Sequence, residues 1–254
     1  MKAFLICLVA LALGSRPARA DEITIGAAKD NTLYEDPAGA LSNGAGEHIF
    51  AGVTNSPVLI RRGVIEFDVA ASLPAGSVVT SVTLDLNMSR TQAGPETVGL
   101  HLALAEWGEG SSVAPGAEGT GTSATTGDAT WIHTFYAGTG WSTAGGDWLA
   151  TASATTLVDG NGHYLWSSPQ LTSDVQAWLD DPGLNHGWVV VGEESSAMTA
   201  KRFDSRENNN AGRRPSLTIV FDPPAATGAC CLTDGSCVVL DATSCAGQGG
   251  SYQG

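Results

Sequence analysis

Val82, Leu84, Leu86 and Met88 alternate with Thr83, Asp85 and Asn87, and Val98, Leu100, Leu102 and Leu104 alternate with Gly99, His101, Ala103 and Ala105. A period of two sends successive side chains to opposite faces of an extended chain, so each run reads as a strand with one face on a core. Further strands are expected at 23–28, 58–68, 187–192, 200–205 and 216–221. Turn clusters punctuate them: Leu73-Pro74-Ala75-Gly76, Ala93-Gly94-Pro95, Asp159-Gly160-Asn161-Gly162 and Asn208-Asn209-Asn210. Only residues 172–179 carry helical spacing, with Val175, Trp178 and Leu179 on one face and Ser173 or Asp174 as the cap. Many short strands with hardly any helix predict an all-β fold, an antiparallel β-sandwich or jelly roll. Glycine at 32 of 254 residues and only 15% charged residues argue against coiled coils and helical repeats. The length suffices for one sizeable core.

The two ends read differently from the body. Met1-Lys2, an apolar run to Leu13 and the ending Ala18-Arg19-Ala20 have the layout of a secretory signal peptide over 1–20, too short to span a bilayer. Its removal takes away Lys2, Arg16 and Arg19 and no acid, moving the net charge from −14 to −17. The expected product is secreted, with no transmembrane segment. Residues 21–222 contain no cysteine and form the expected β-sandwich; 223–228, opening Pro223-Pro224, are the linker. Cys230, Cys231, Cys237 and Cys245 crowd into 229–254, which reads as a short tail stapled by disulfides in an oxidising compartment. Pairing the adjacent Cys230 and Cys231 closes a strained ring. Two pairings remain: Cys230–Cys237 with Cys231–Cys245, or Cys230–Cys245 with Cys231–Cys237. Residues 108–129, nearly all Gly, Ser, Thr, Ala and Pro, predict a long surface loop, lying over the sandwich or packing beside a site.

An acidic surface repels phosphate backbones, so nucleic acid is excluded as a partner. The scarce basic residues are more telling. Beyond residue 20 there are nine, and seven fall in three groups: Arg61-Arg62, Lys201-Arg202 with Arg206, and Arg213-Arg214. If Phe203 points inward, Arg202, Asp204 and Arg206 share the outer face; Ile65 and Phe67 inward places Arg62 and Glu66 outward and leaves Arg61 with core parity, needing a partner. Such a stripe suits a carboxylated sugar, because guanidinium matches carboxylate bidentately; the competing use is an internal salt-bridge network. All seven tryptophans lie between Trp107 and Trp188. Trp131, Trp141, Trp178 and Trp188 are expected to fill the core, while Trp148 and Trp166 are the candidates for stacking on a sugar ring. The ligand-binding candidates are therefore Arg62, Lys201, Arg202, Arg206, Trp148 and Trp166.

Signals for catalysis are poor. Glu106, Glu109 and Asp128 offer carboxylates, but sequence alone cannot set the separation a glycosidase pair needs. The Gln-x-His and Tyr-x-Lys motifs of jelly-roll polysaccharide lyases do not occur, nor does a Gly-x-Ser-x-Gly elbow. The five histidines lack metal-ligand spacing. The 26 acidic residues could build an oxygen-only cage for structural calcium, although Asp159-Gly160-Asn161-Gly162 has the pattern of a plain turn.

One family shares a chain of these motifs. Arg61-Arg62-Gly63-Val64-Ile65-Glu66-Phe67-Asp68, Leu73-Pro74-Ala75-Gly76 and Val82-Thr83-Leu84-Asp85-Leu86 resemble the opening of DNRLRE domains. The resemblance runs on through Trp107-Gly108-Glu109-Gly110, Ala129-Thr130-Trp131, Trp141, Gly145-Gly146-Asp147, Asp174-Val175-Gln176-Ala177-Trp178 and Asn185-His186-Gly187. It ends at Phe203-Asp204-Ser205-Arg206-Glu207, which stands where the family carries its naming motif. The family consists of secreted or surface β-sandwich modules related to disaggregatase repeats. The resemblance implies a non-catalytic module like a carbohydrate-binding module, with acidic polysaccharide as partner; a structural or adhesive surface role is its rival, and a polysaccharide-degrading enzyme a distant third. The tail is similar to a short cysteine motif of planctomycete-type secreted proteins that usually continues to another cysteine, so it is expected to be an incomplete copy.

Overall fold

The computed structural model describes residues 20–55 and 58–254; the expected signal peptide, apart from Ala20, lies outside the described residues. In chain order the body contains β1 (Asp21–Gly26), β2 (Lys29–Tyr34), β3 (Leu41–Ser42), β4 (His48–Val53), β5 (Ile60–Glu66), β6 (Val78–Thr91) and β7 (Glu96–Leu102). There follow β8 (Thr122–Ser123), β9 (Ala154–Val158), β10 (Gly162–Trp166), β11 (Trp188–Val191), β12 (Lys201–Asp204) and β13 (Ser216–Asp222). Except for the β3–β8 pair, these strands join in one large antiparallel sheet in the order β1-β13-β6-β12-β4-β5-β11-β7-β9, with β10 also on β6 and β2 also on β5. The sheet curls into a half-barrel through β4, which pairs with β12 on one edge and β5 on the other. One core fills the concave side, where Leu84, Leu86 and Met88 of β6 meet Ile65, Trp188 and Val190.

A second core lies behind β2, β5 and β11. Leu33, Val64 and Val189 point away from the main core and pack on Trp107, Trp131 and Trp141, which arrive on the long segments after β7. Strands buried on both faces read as unbroken apolar runs rather than alternations, and Trp188-Val189-Val190 is such a run. The alternation of β6 is borne out to Met88. That of β7 stops at Leu102, and Leu104 is 51% exposed.

The expectation of hardly any helix needs correction, because three short helices are present among the described residues. The first, α1 (Val69–Ser72), is capped by Asp68; the second, α2 (Pro169–Asp180), is longer than the expected 172–179. Its cap is Ser168, whose hydroxyl accepts from Leu171 N at 2.9 Å, not Ser173 or Asp174. Asp174 is instead buried on the inner face, where it accepts from Trp188 Nε1 at 3.0 Å and from Gln170 at 2.9 Å. Leu171, Val175, Trp178 and Leu179 join the main core.

In the tail, β14 (Thr227–Cys231) sits between β15 (Cys237–Asp241) and β16 (Ser251–Tyr252), beside α3 (Ala242–Gly247). Thus only residues 223–226 of the expected linker lack regular structure. The disulfides are Cys230–Cys245 and Cys231–Cys237, the second of the two open pairings. Gly250 is needed there, since a Cβ would strike the Cys230 sulfur.

Candidate functional site

Where β4, β5, β6 and β12 end together, Phe50, Arg61, Arg90, Arg202 and Met198 line a cleft of about 420 Å³. Its far wall is Ala117, Gly119 and Thr120. Register places the arginines. Arg202 on β12 lies directly opposite Phe50 on β4 and Arg90 on β6, so the three share a face. Arg90 reaches that face because the β12–β6 pairing shifts: Arg202 opposes Arg90 and Phe203 opposes Met88, leaving Ser89 as an extra residue. A bulge of this kind reverses the alternation and re-aims the next side chain. Arg61, nearly fully buried, lies under Tyr34 with its guanidinium carbon 4.9 Å from the ring centre. Its Nε donates to Gly119 O at 3.0 Å and its Nη1 to Ile60 O at 2.8 Å. These are the partners its core parity demanded.

The electrostatics of the cleft are one-sided. Among the described residues no carboxylate lines it, and none of Arg61, Arg90 and Arg202 makes an ion pair. Among the described residues Arg202 donates only to Ser89 Oγ, at 3.1 Å. Burial, with the Arg90 charge acting the same way, pushes Arg202 below its ordinary pKa against the pull of Asp204. Burial does the same to Arg61, opposed by Tyr34 and Glu35. Like charges placed directly opposite across two strands are destabilising, so Arg90 and Arg202 repel one another across the pair.

The wall belongs to the segment expected to be a long surface loop, which, apart from the two-residue β8, has no regular structure and packs beside the cleft, the second of the two placements expected for it. Glu118, with φ of 65°, is 7% exposed and anchors it: its carboxylate accepts from Asn43 Nδ2 at 2.8 Å and from His48 N at 2.9 Å. His48 Nδ1 lies 3.1 Å from the same carboxylate, and His48 Nε2 lies 3.4 Å from Asp204. Tyr34 OH donates to Glu118 O at 2.8 Å, which ties the wall to the ring over Arg61. Polar residues with few apolar neighbours can still be buried when each finds a partner. The low-complexity composition concealed this.

Of the residues expected to bind ligand, only Arg202 lines this cleft. Lys201 is fully buried, donating to Gly94 O at 2.6 Å and Asp159 O at 3.3 Å, and so clamps two turns together. Arg62 forms a bidentate pair with Glu194, at 2.7 and 2.8 Å, and sits between the Trp131 and Trp148 rings at 4.9 and 5.5 Å. Arg206 Nη1 contacts both oxygens of Glu109, at 3.0 and 2.9 Å, and Glu207 at 2.7 Å. For Arg62 and Arg206 the internal network is the use the structure makes of them. Trp166 is fully buried and donates to Val98 O at 2.9 Å, which removes it from any sugar-binding surface. Trp148 is half-buried in a separate groove with Arg62. Trp131, Trp141, Trp178 and Trp188 are buried as expected.

Around Arg206 the acid is in excess. One ligand atom each from Asp30, Glu109 and Glu207 lie within 4.8 Å of one another, a group that could hold a metal ion. Asp30 is buried and accepts from Arg206 N at 2.7 Å. Burial and then the Glu207 charge push its pKa well above the usual carboxylate range. Glu207, by burial and then the Glu109 charge, is pushed up to about 7. One Oε of Glu207 is buried without a hydrogen bond. The carboxylates considered for catalysis have separate partners: Glu106 holds Lys29 and His186, Glu109 holds Arg206, and buried Asp128 accepts from Thr125 N at 2.6 Å.

Arg90 and Arg61 are the cleft residues the sequence did not nominate. Arg61 had a signal, a charge at core parity; Arg90 had none, because the bulge that turns it outward is a property of the pairing. Compared with family models and with curated proteins, the chain matches none. No helix among the described residues is long and apolar enough to cross a membrane.

Proposed function

We propose that this chain is an exported, non-catalytic module of the DNRLRE type, a jelly-roll-like sandwich that holds an acidic polysaccharide in the Arg61–Arg90–Arg202 cleft. One observation carries the reading: in a chain with 26 acidic and 12 basic residues, three guanidinium groups line one cleft and have no ion pair among the described residues. Acid to neutralise them was abundant. A guanidinium presents a planar fork of donors that matches a carboxylate, and a uronate repeats that carboxylate along a chain. The cleft volume lies within the range of small-ligand sites, roughly 300–1,000 Å³. To the Asp30–Glu109–Glu207 cluster we assign structural calcium, since its donors are all oxygens and Arg206 supplies only one positive charge to three carboxylates.

The test is affinity electrophoresis of the secreted protein in gels containing alginate, polygalacturonate, xylan or chitin. Retardation on alginate or polygalacturonate, relieved by high salt and by Arg90→Gln or Arg202→Gln, is the expected result. Free migration on every acidic polymer would sink the proposal and leave the structural or adhesive role. Release of reducing sugar from the same panel would overturn the non-catalytic part.

A further inference from the structure

Away from the arginine cleft, Trp148, Asp147, Ser142, Thr143 and Leu104 line an open groove of about 670 Å³. Trp148 is the one tryptophan of the seven that is not buried. Its backbone is pinned as an added rung beside β7. Ala103 bridges to Trp148, Leu104 N donates to Asp147 O at 2.9 Å, and Leu149 N donates to Leu102 O at 3.0 Å. The ring is held as well: the His101 ring meets it edge-on at 4.5 Å, and the Arg62 guanidinium lies 5.5 Å from its centre. A half-buried indole fixed in this way is a preorganised platform that loses little freedom on binding.

The polar groups beside the ring are free to bind. Trp107, Trp141, Trp166 and Trp188 each donate their indole N–H to a protein acceptor. Among the described residues the Trp148 indole N–H has no acceptor, and the side-chain hydroxyls of Ser142 and Thr143 make no hydrogen bond. Asp147 accepts only the backbone N–H groups of Ser142 and Thr143, at 2.7 and 2.8 Å, so its oxygens keep spare lone pairs. The sign of the groove is opposite to that of the cleft. The Arg62 charge is taken up by Glu194, which leaves Asp147 as the uncompensated charge on the lining. An anion is repelled here; a neutral, hydroxyl-rich ring with an apolar face is not.

We infer that the Trp148 groove is a second binding site, for a neutral hexose or pentose unit of a polysaccharide. The sugar's C–H face lies on the indole while its hydroxyls bond Asp147, Ser142 and Thr143. The chain would then hold two polymers of different charge, or two parts of one mixed polymer.

Affinity electrophoresis of the full chain on hydroxyethylcellulose, galactomannan and neutral xylan tests this, together with oxidation of tryptophan by N-bromosuccinimide. Retardation on at least one neutral polymer is expected, insensitive to high salt. Trp148→Ala should weaken it by about tenfold or more, as for an aromatic anchor, and Trp148→Phe should recover part of it. The same polymer should protect a single tryptophan from oxidation. Arg202→Gln, which lies outside the groove, should leave this binding unchanged. If Trp148→Ala does not fold, Asp147→Asn, Trp148→Phe and the protection assay carry the decision. Free migration on all three polymers overturns the inference, as does retention that survives Trp148→Ala or is lost in Arg202→Gln.

Discussion

Arg202 and Arg206 stand four residues apart, yet they meet opposite surroundings. Arg206 is enclosed by Asp30, Glu109 and Glu207, two of which it contacts through one nitrogen. Arg202 faces Arg90 across a strand pair and, among the described residues, has a single serine hydroxyl as partner. The first is a charge network with surplus acid, the second a charge network with no acid on its lining. Arg62 belongs with Arg206, since Glu194 meets it bidentately. A guanidinium whose valences are filled inside the protein contributes to stability; one left unfilled beside another keeps donors available to an anion. What separates them is the pairing of strands, not the identity of the residue.

The largest expected effect comes from Arg62. Arg62→Ala strands Glu194, removes the donor to Gly145 O and empties the space between two tryptophans, so a loss of about 3 kcal/mol is expected. Chemical denaturation measures it, and affinity for acidic polymers, tested under conditions where the variant is folded, should not change. A mild stability loss with weakened binding would move Arg62 to the other group. Next is Arg202→Gln, expected to weaken anion binding by about 1.5–3 kcal/mol, the scale of a charged hydrogen bond. Its unfolding free energy should stay within roughly 0.5 kcal/mol of the parent.

The acidic cluster predicts a pH dependence of known sign. Glu207 is held near 7, above its ordinary 4.5, so the folded state binds its proton more tightly than the unfolded chain does. The stability from that proton is complete below about 4.5 and is lost as pH rises through 7. Stability should therefore fall by about 1–2 kcal/mol between those limits, and Glu207→Gln should reduce the fall, leaving the part due to Asp30, whose pKa burial also raises. If the cluster holds calcium, the ion should raise the melting temperature at pH 8 and much less at pH 5. No response to calcium at either pH would leave the cluster to Arg206 alone. The smallest effect is expected from reductant: opening Cys230–Cys245 and Cys231–Cys237 should loosen the tail and leave the main thermal transition in place, since the body has no cysteine. Collapse of that transition would show that the tail supports the body.

Reading along the chain found the elements that rest on a one-sided pattern. β6 and β13 alternate because one face meets the core, and β12 was placed within a residue at either end. It missed β2 because Asp30, Asn31 and Thr32 are buried polar residues whose partners lie elsewhere in the chain, and β4 because Ile49 to Val53 are buried on both faces and show no alternation. Asn31, for example, bonds Ser42 Oγ at 2.9 Å and Glu109 O at 2.9 Å. In the candidate site, Arg202 and the core parity of Arg61 were legible. Lys201 and Trp166 were misread, since neither charge nor ring size reveals whether a carbonyl waits inside to accept from it.

Local composition and alternation alone determined that the chain is rich in antiparallel strands, that its cysteines beyond residue 20 lie only in the tail, and that its positive charge is scarce. Both kinds of information are short-range, and strand periodicity and turn chemistry act over a few residues. Tertiary structure alone decided which arginines are neutralised. Glu194 reaches Arg62 across 132 positions and Glu109 reaches Arg206 across 97, while one extra residue at Ser89 turns Arg90 to face Arg202. Charge pairing falls off within ångströms in space and is blind to distance along the chain, so only the folded sheet could sort these side chains into paired and unpaired groups.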